Sequence, residues 1–365
     1  MGLVAVLLAV LVLDVSLHAQ SVDRSALNGQ QLYQAACAAC HGTDGRGQPV
    51  SVRGFDLDLP DFTDCHVTTP EADLDWISVV HQGGAARSFS RMMPAFGEEL
   101  TDTEIARVVG HLRTFCTERG WPRGDLNLPR PFVTEKAFPE NEAVLTTAFV
   151  PHGERSLGNQ FLYEHRVGRR GQYELFVPFD MRESPLGKWQ IGVGDIGAAY
   201  KHVLYDSLSR GSIVSAGSEL SLPTGSESKG MGSGRAMVEV FGTVSQVLPR
   251  DGFLHAHTGL EMPAGSGAGA KETFWRVAVG KTFMSHRWGR SWSPMVELLG
   301  ARELEEAGVS EWDVLPQLQV SLSNRQHVLL NVGVRTPVSQ RRERDSSVLF
   351  YLLWDWFDGG FFSGW

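Results

Sequence analysis

Hydrophobic residues follow two different periods along this chain, and the change falls near residue 143. In the first region, apolar side chains recur every three or four positions, as in Ile105, Val108, Val109 and Leu112, which is the period of an amphipathic helix. From residue 143 to the end, apolar and polar residues alternate, which is the period of a strand with two different faces. The pattern therefore predicts an all-α domain followed by an all-β domain.

Two helices of the first region carry clear start signals. Asn28 is a candidate N-cap for a helix that contains Leu32 and Tyr33. Thr101 and Glu104 have the spacing of a capping box at the start of the apolar stripe described above. A third helix is predicted over residues 70–81, with Leu74, Ile77 and Val80 on its apolar face.

The alternating segments of the second region are about ten residues long, which suits tilted strands that cross a membrane. Their spacing gives about eleven strands, and single-chain bacterial barrels favour even numbers, so we expect ten or twelve. One face is apolar, and the other carries Glu174, Glu219, His255, His257, Glu261, Gln319, Asn331 and Arg335. Repeated charges on one face favour a wet barrel lumen over the dry core of a soluble β-sandwich, which is the alternative.

Composition and the N-terminal residues add three observations about partners, fold class and location. The formal net charge of −9 argues against a nucleic-acid partner. The 40 glycines and 10% aromatic residues favour β structure with many turns. Residues 1–19 are interpreted as an export signal, with an apolar run over residues 3–13 and a cleavage site at residues 17–19, although no Lys or Arg precedes the run and Asp14 closes it.

Residues 119–142 carry Pro122, Pro129, Pro131 and Pro139 and show no periodic apolar pattern. We interpret them as a semi-rigid linker. The predicted domains are therefore residues 21–118 and residues 143–365.

The densest chemical signal is Cys37-Ala-Ala-Cys40-His41, which has the C-x-x-C-H form of c-type haem attachment. Two thiols at i and i+3 can form thioethers to one haem, and the histidine that follows can ligate its iron. A structural disulfide and half of a zinc site are the alternatives. The motif predicts one covalent haem c.

Residues 21–118 resemble a class I cytochrome c. The resemblance implies that the first and last helices cross, so Leu32 or Tyr33 should meet the last helix. The string Met93-Pro-Ala-Phe96 is similar to the ligand loop of such cytochromes and implies Met93 as the second iron ligand, with Met92 as its competitor. Bis-imidazole ligation through His66, His81 or His111 is a further alternative.

Two cysteines lie outside the haem motif. Cys65 and Cys116 can pair in the oxidising compartment in which c-type haem is attached, and two free thiols are the alternative. The first domain is acidic, with no lysine before Lys136. This charge fits docking to a basic redox partner, or only a solvated surface.

The second domain resembles the outer-membrane barrel family associated with phenol-degradation pathways. The resemblance rests on residues 219–225 and 229–234. It implies fold and location, with outer-membrane lipid as a partner, more than it implies phenol as a substrate. The C-terminus separately favours an outer-membrane barrel, because such barrels commonly end on an aromatic residue and carry aromatic girdles at the membrane interfaces; its aromatic residues are Tyr351, Trp354, Trp356, Phe357, Phe361, Phe362 and Trp365.

Together these features predict electron transfer by a haem domain held at the periplasmic side of the outer membrane by the barrel. A further hypothesis is that the protein is part of a conduit that carries electrons across that membrane. The alternative is a porin for small solutes in which the haem domain acts as gate or redox sensor. No nucleotide loop or nucleophile constellation indicates an enzyme.

Overall fold

The computed structural model describes residues 24–153, 155–184, 187–265, 271–284, 289–304, 308–341 and 344–356. The predicted export signal lies outside these residues, as do the aromatic residues after Trp356. Within the described part of the chain, no helix is both long and apolar enough to span a membrane.

The first domain is helical, as the periodicity predicts. Its α-helices are α1 (Gly29–Ala36), α2 (Ala38–His41), α3 (Val50–Arg53), α4 (Cys65–Thr68), α5 (Asp73–Gln82) and α6 (Asp102–Leu112). Both predicted caps are present: Asn28 caps α1 and Thr101 caps α6, each in a capping box with the residue three positions later. These caps satisfy amide groups that the first turn of a helix leaves unpaired.

The first and last helices cross and form the core of the domain. Leu32 and Tyr33 of α1 pack with Val109 and Leu112 of α6, and all four are buried. A glycine makes the close approach possible, because a Cβ atom at Gly29 would lie 2.1 Å from a backbone oxygen of α6. The predicted crossing is therefore confirmed.

The middle helix differs from its prediction at one end and on one face. It starts at Asp73 rather than at residue 70. Leu74, expected on the apolar face, is 45% exposed. Ile77 and Val80 lie at the core as predicted, and Trp76 packs against it where Leu74 was expected.

The second domain is a closed antiparallel barrel. Its strands are β1 (Glu142–Val150), β2 (Ser156–Val167), β3 (Gly171–Glu183), β4 (Trp189–Val193), β5 (Gly197–Ser207), β6 (Ser212–Ser221), β7 (Met237–Leu248), β8 (Gly252–Pro263), β9 (Glu272–Lys281), β10 (Phe283–Met284), β11 (Ser291–Glu303), β12 (Ser310–Ser321), β13 (Val328–Pro337) and β14 (Ser347–Asp355). Strand β1 pairs with both β2 and β14, and β9 pairs with β11, so 12 strands form the wall. The short strands β4 and β10 pair with β3 and β11 in line with β5 and β9, so they extend β5 and β9 and add no further strand to the wall.

The two faces of the wall are apolar outside and polar inside. Large apolar side chains such as Leu175, Val279, Val296 and Phe350 are exposed on the outer face. Polar side chains that alternate with them face the lumen, as the sequence predicts: His255, His257, Gln319 and Asn331 are buried there, and Glu174 is partly buried. An apolar band around a polar interior is typical of barrels that sit in lipid.

Tyr351 departs from the expected aromatic girdle. It is 1% exposed and points into the lumen, where its hydroxyl donates a hydrogen bond to the Arg130 carbonyl oxygen. Strand alternation explains this, because Trp354 is an odd number of positions away and therefore lies on the opposite face.

The two ends of the barrel differ in the length of their connections. At one end the connections are residues 168–170, 208–211, 249–251, 285–290 and 322–327, and β1 begins and β14 finishes there. At the other end they are residues 151–155, 184–188, 222–236, 264–271, 304–309 and 338–346, and three of these are longer than any connection at the first end. The helical domain contacts the end with the short turns.

Residues 127–141 lie inside the lumen, and we call this segment the plug. It enters beside the helical domain, reaches the middle of the barrel near Phe132, and returns to β1. Side chains of the wall satisfy its backbone; they are Gln172, Lys201, Ser215, Thr243, Ser245, His255, His257, Arg276, Glu297 and Tyr351. The predicted linker segment is thus packed against the wall of the barrel, a placement that its composition does not reveal.

Carboxylates of the lumen form a row of cross-strand neighbours that is interrupted once, at Ala199. In order the row holds Asp355, Glu142, Glu164, Glu174, Ala199, Glu219, Glu239, Glu261, Glu272 and Glu303. It starts at the end that contacts the helical domain and climbs to the other end. Arg130 of the plug and Lys201 of the wall offset the charge of its first part.

Candidate functional site

A cavity of about 640 Å³ opens in the helical domain, in the size range of small-molecule and cofactor sites. Cys37, Cys40, His41 and Met93 all line it. The fold thus brings the four residues predicted to hold the haem to one cavity, although Met93 is more than fifty positions from the motif.

Helix α2 and the turn before it position the haem motif. Cys37 closes α1 and begins α2, which ends at His41. Both thiols are free. The His41 ring stacks on Phe62 with ring centroids 5.0 Å apart, and its Nδ1 is buried without a hydrogen-bond partner. The donor set fits a c-type haem, because thiols and an imidazole meet at one wall of a cavity.

Burial also sets the chemistry of the imidazole. It lowers the pKa of His41, so the ring is neutral near neutral pH. A neutral imidazole keeps a lone pair for iron.

Two glycines hold the Met93 loop in place. The Gly84 amide donates a hydrogen bond of 3.0 Å to the Met93 carbonyl oxygen. Gly83 has φ +82°, and a Cβ atom there would lie 2.9 Å from the Ala95 nitrogen. Only glycines allow the loop to lie so close to the end of α5. A Gly-Gly pair just after a predicted helix is a signal in the sequence that points to this support.

The alternative iron ligands differ in their surroundings. Met92 also lines the cavity but is 53% exposed, whereas Met93 packs against the core. His66 stacks edge-on against Trp121, and His111 packs against Tyr33. Neither these two histidines nor His81 lines this cavity. The geometry therefore favours Met93.

Cys65 and Cys116 form a disulfide with Cα atoms 5.1 Å apart, so this expectation from the sequence is present in the structure. It joins α4 to the segment that leaves α6. Nearby, the Gly124 amide donates a hydrogen bond to the Thr69 carbonyl oxygen. The approach is so close that a Cβ atom at Gly124 would lie 1.9 Å from the Pro70 carbonyl oxygen. The chain is therefore fastened to the helical domain just before it enters the barrel.

The barrel itself supplies part of the cavity wall. Arg325 and His327, from the turn between β12 and β13, line the cavity. Arg325 donates a hydrogen bond of 3.0 Å to the Ser88 carbonyl oxygen and lies over the Phe89 ring at 4.1 Å. Arg87, only 3% exposed, donates one back to the Asn324 carbonyl oxygen. No pattern in the sequence indicates this contribution.

Backbone conformation marks the same contact on both sides. Ser88 and Gln326 have φ angles of 60° and 64°, which residues other than glycine rarely adopt. Such conformations persist where the surrounding structure holds them. The contact is therefore a specific interface between the two domains.

These features define the class of protein: a cytochrome c domain fused to a closed 12-stranded antiparallel barrel with an apolar outer face and a polar lumen. Residues 24–112 match the family model described as cytochrome C oxidase, cbb3-type, subunit III. The match covers the helical domain and not the barrel. A comparison with curated proteins finds no match.

Several solved barrels resemble the second domain. An outer membrane channel from Pseudomonas putida F1 is 10% identical with a TM-score of 0.46, covering 62% of this chain and all (100%) of its own. The NanC porin is 7% identical with a TM-score of 0.43, covering 59% of this chain and 99% of its own. LpxR from Salmonella typhimurium is 11% identical with a TM-score of 0.38, covering 59% of this chain and 100% of its own. The fold itself rests on the closed strand register described above.

Proposed function

We propose that this protein is a one-electron carrier held at the periplasmic face of the outer membrane. One haem c is bound through thioethers to Cys37 and Cys40, with His41 and Met93 as iron ligands. The cavity that these four residues share is the observation that carries the proposal.

The donor set favours electron transfer over catalysis. A haem supplies a one-electron iron couple, and a methionine opposite a histidine raises its potential. If His41 and Met93 both ligate the iron, the haem would have no ligand position left for a substrate. His41 and Met93 thus act by fixing the iron, and the cysteines by keeping the haem attached.

The orientation of the barrel supports a periplasmic haem domain. Outer-membrane barrels have short periplasmic turns and longer extracellular loops. The helical domain contacts the end with the short turns, where β1 begins and β14 finishes. In that orientation the acidic cytochrome surface faces periplasmic redox partners, and a basic partner would associate more slowly as salt rises.

The filled lumen supports the role of the barrel as an anchor rather than an open pore. The plug is hydrogen-bonded to strands all round the wall, and its Arg130 forms ion pairs with the buried Glu142 and Glu164. Removing one partner from such a pair leaves a buried charge, which is strongly unfavourable.

A second candidate function is redox-gated passage of a small solute. One observation favours it: the plug continues directly from the cytochrome domain, so movement of that domain could be transmitted to the lumen. Conductance that changes when the haem is reduced would favour this function. Conductance that ignores the redox state would favour the anchor.

Spectroscopy of the full-length protein tests the proposed carrier. We expect covalent haem, the absorption band of a methionine–iron bond, and slow or negligible binding of carbon monoxide. Rapid carbon monoxide binding without that band would contradict ligation by Met93.

A further inference from the structure

A network of charged side chains lies between the haem cavity and the barrel. Glu71, Asp75, Arg87 and His327 all line the cavity. The His327 ring joins the domains, with Nε2 2.8 Å from Glu71 Oε1 and Nδ1 3.2 Å from Asp355 Oδ1. Arg87 Nη2 lies 3.3 Å from Asp75 Oδ1. We call Glu71, Asp75, His327 and Asp355 the interface network.

We propose that the interface network binds a proton when the haem iron is reduced, so that electron transfer by this protein is coupled to proton uptake. The inference rests on the proposed haem site. Reduction of a haem held by these residues would take one electron from the redox partner, and one proton from the acid pool of the bulk solution would bind a carboxylate of the network. The charge added at the iron is thereby balanced.

Geometry carries the coupling. Reduction adds one negative charge to the cavity that the network lines, and a nearby negative charge favours the protonated form of a carboxyl group. Charges that are partly withdrawn from water interact more strongly than charges in bulk solvent. The side chains of His327 and Glu71 are 6% and 18% exposed, whereas that of Asp75 is 33% exposed, so the network is shielded on the barrel side and a proton can reach it from solvent at Asp75.

The charged groups around the network bring the pKa of one of its members close to neutral pH. Burial and then the charge of Glu71 raise the pKa of Asp75 to about 7, against the opposing effects of Arg87 and His327. Asp125 adds a further negative charge. For Glu71, burial is outweighed by His327, Arg113 and Arg87, and its pKa is lowered. Asp75 is thus the member best placed to accept the proton.

The test is the reduction potential of the full-length, haem-loaded protein, measured by spectroelectrochemistry between about pH 5 and pH 9. Coupling of one proton to one electron predicts a potential that falls by up to about 59 mV per pH unit around neutrality. Asp75→Asn should flatten this slope, and His327→Gln should reduce it or shift its range. Asp56→Asn, an exposed carboxylate outside the cavity, is the matched control and should keep the wild-type slope.

A pH-independent potential in the wild type, with a normal haem spectrum, would overturn the inference but leave the proposed function intact. So would an Asp75→Asn variant with the wild-type slope. Absence of covalent haem would instead refute the proposed function. Should either variant misfold, proton uptake on reduction of the wild type, followed with a pH indicator, still decides: uptake near neutral pH supports the coupling, and none refutes it.

Discussion

Replacing Glu297 by glutamine should loosen the plug. The Glu297 carboxylate is fully buried (0% exposed) in the lumen wall. It accepts hydrogen bonds from the backbone amides of Phe132 (2.8 Å), Val133 (3.2 Å) and Thr134 (2.7 Å), and from the Thr134 hydroxyl (2.7 Å). Gln317 donates one more, at 2.6 Å. One carboxylate thus holds the innermost turn of the plug.

The size of the effect follows from these bonds. A hydrogen bond to a charged acceptor contributes about 1.5–3 kcal/mol, and one between neutral groups about 0.5–1.5 kcal/mol. Glutamine keeps one acceptor oxygen and turns an NH2 group toward amides that also donate. Losing two bonds and weakening the others costs about 3–5 kcal/mol. At 1.4 kcal/mol per factor of ten, the population with a displaced plug rises by roughly 10²-fold to 4 × 10³-fold.

Hydrogen exchange of the peptide over residues 128–141, followed by mass spectrometry, measures that population, because local opening limits exchange. We expect the protection of the amides near Phe132 to fall by the same factor in Glu297→Gln. The matched control is Glu303→Gln, which removes a lumen carboxylate at the far end of the carboxylate row. Protection in Glu297→Gln that stays within a factor of ten of the wild type would refute the role of this carboxylate.

Three further predictions concern the cytochrome domain. Met93→Ala should open the iron to carbon monoxide and lower the reduction potential, whereas Met92→Ala should change neither, as optical titrations can show. Gly29→Ala should destabilise the domain by about 1–3 kcal/mol, because the added Cβ atom meets a backbone oxygen. Gly110→Ala is the control: its Cβ atom has nothing within 4 Å, so the substitution should stabilise the domain by about 0.5–1 kcal/mol. Chemical denaturation measures both changes. Hydrogen bonds from the N-cap of α6 lower the pKa of Glu104, so its contribution is complete above pH 4.5 and is lost as the pH falls through its folded-state value. Glu104→Gln should therefore cost roughly 1 kcal/mol at pH 7 and almost nothing in strong acid; an equal cost at both pH values would contradict this.

Local patterns were enough to predict most of the secondary structure. The caps at Asn28 and Thr101 act within three residues, so the helices they start could be found without knowing the fold. The alternation of Glu174 with Tyr173 and Leu175 sets a lumen face and a lipid face for the same reason. Closure into 12 strands agrees with the predicted even number.

The plug could not be predicted, because it depends on contacts between distant positions. Glu297 is separated from Phe132 by 165 residues, and prolines in a segment without periodicity are equally typical of an exposed linker. One sequence signal was available: Arg130, Glu135, Lys136 and Glu140 concentrate charge of both signs in that segment. Such charges need partners, and here the lumen wall and the plug itself supply them.

The barrel residues that line the haem cavity could not be predicted from the sequence either. Arg325 and His327 lie in a short turn of the barrel, and nothing near them in sequence indicates a haem domain. Their role emerges only when the turn is seen against Ser88 and Glu71.

The most direct test of a haem carrier anchored by its own barrel is electrophoresis of the outer-membrane fraction, boiled and unboiled, stained for covalent haem. We predict one haem-positive band that changes its mobility on boiling, because folded barrels migrate differently from unfolded ones. The band should be absent when Cys37 and Cys40 are both replaced by alanine, while the protein itself is still detected with an antibody. A haem-positive band in the soluble periplasm, with mobility unaffected by boiling, would contradict the outer-membrane anchor.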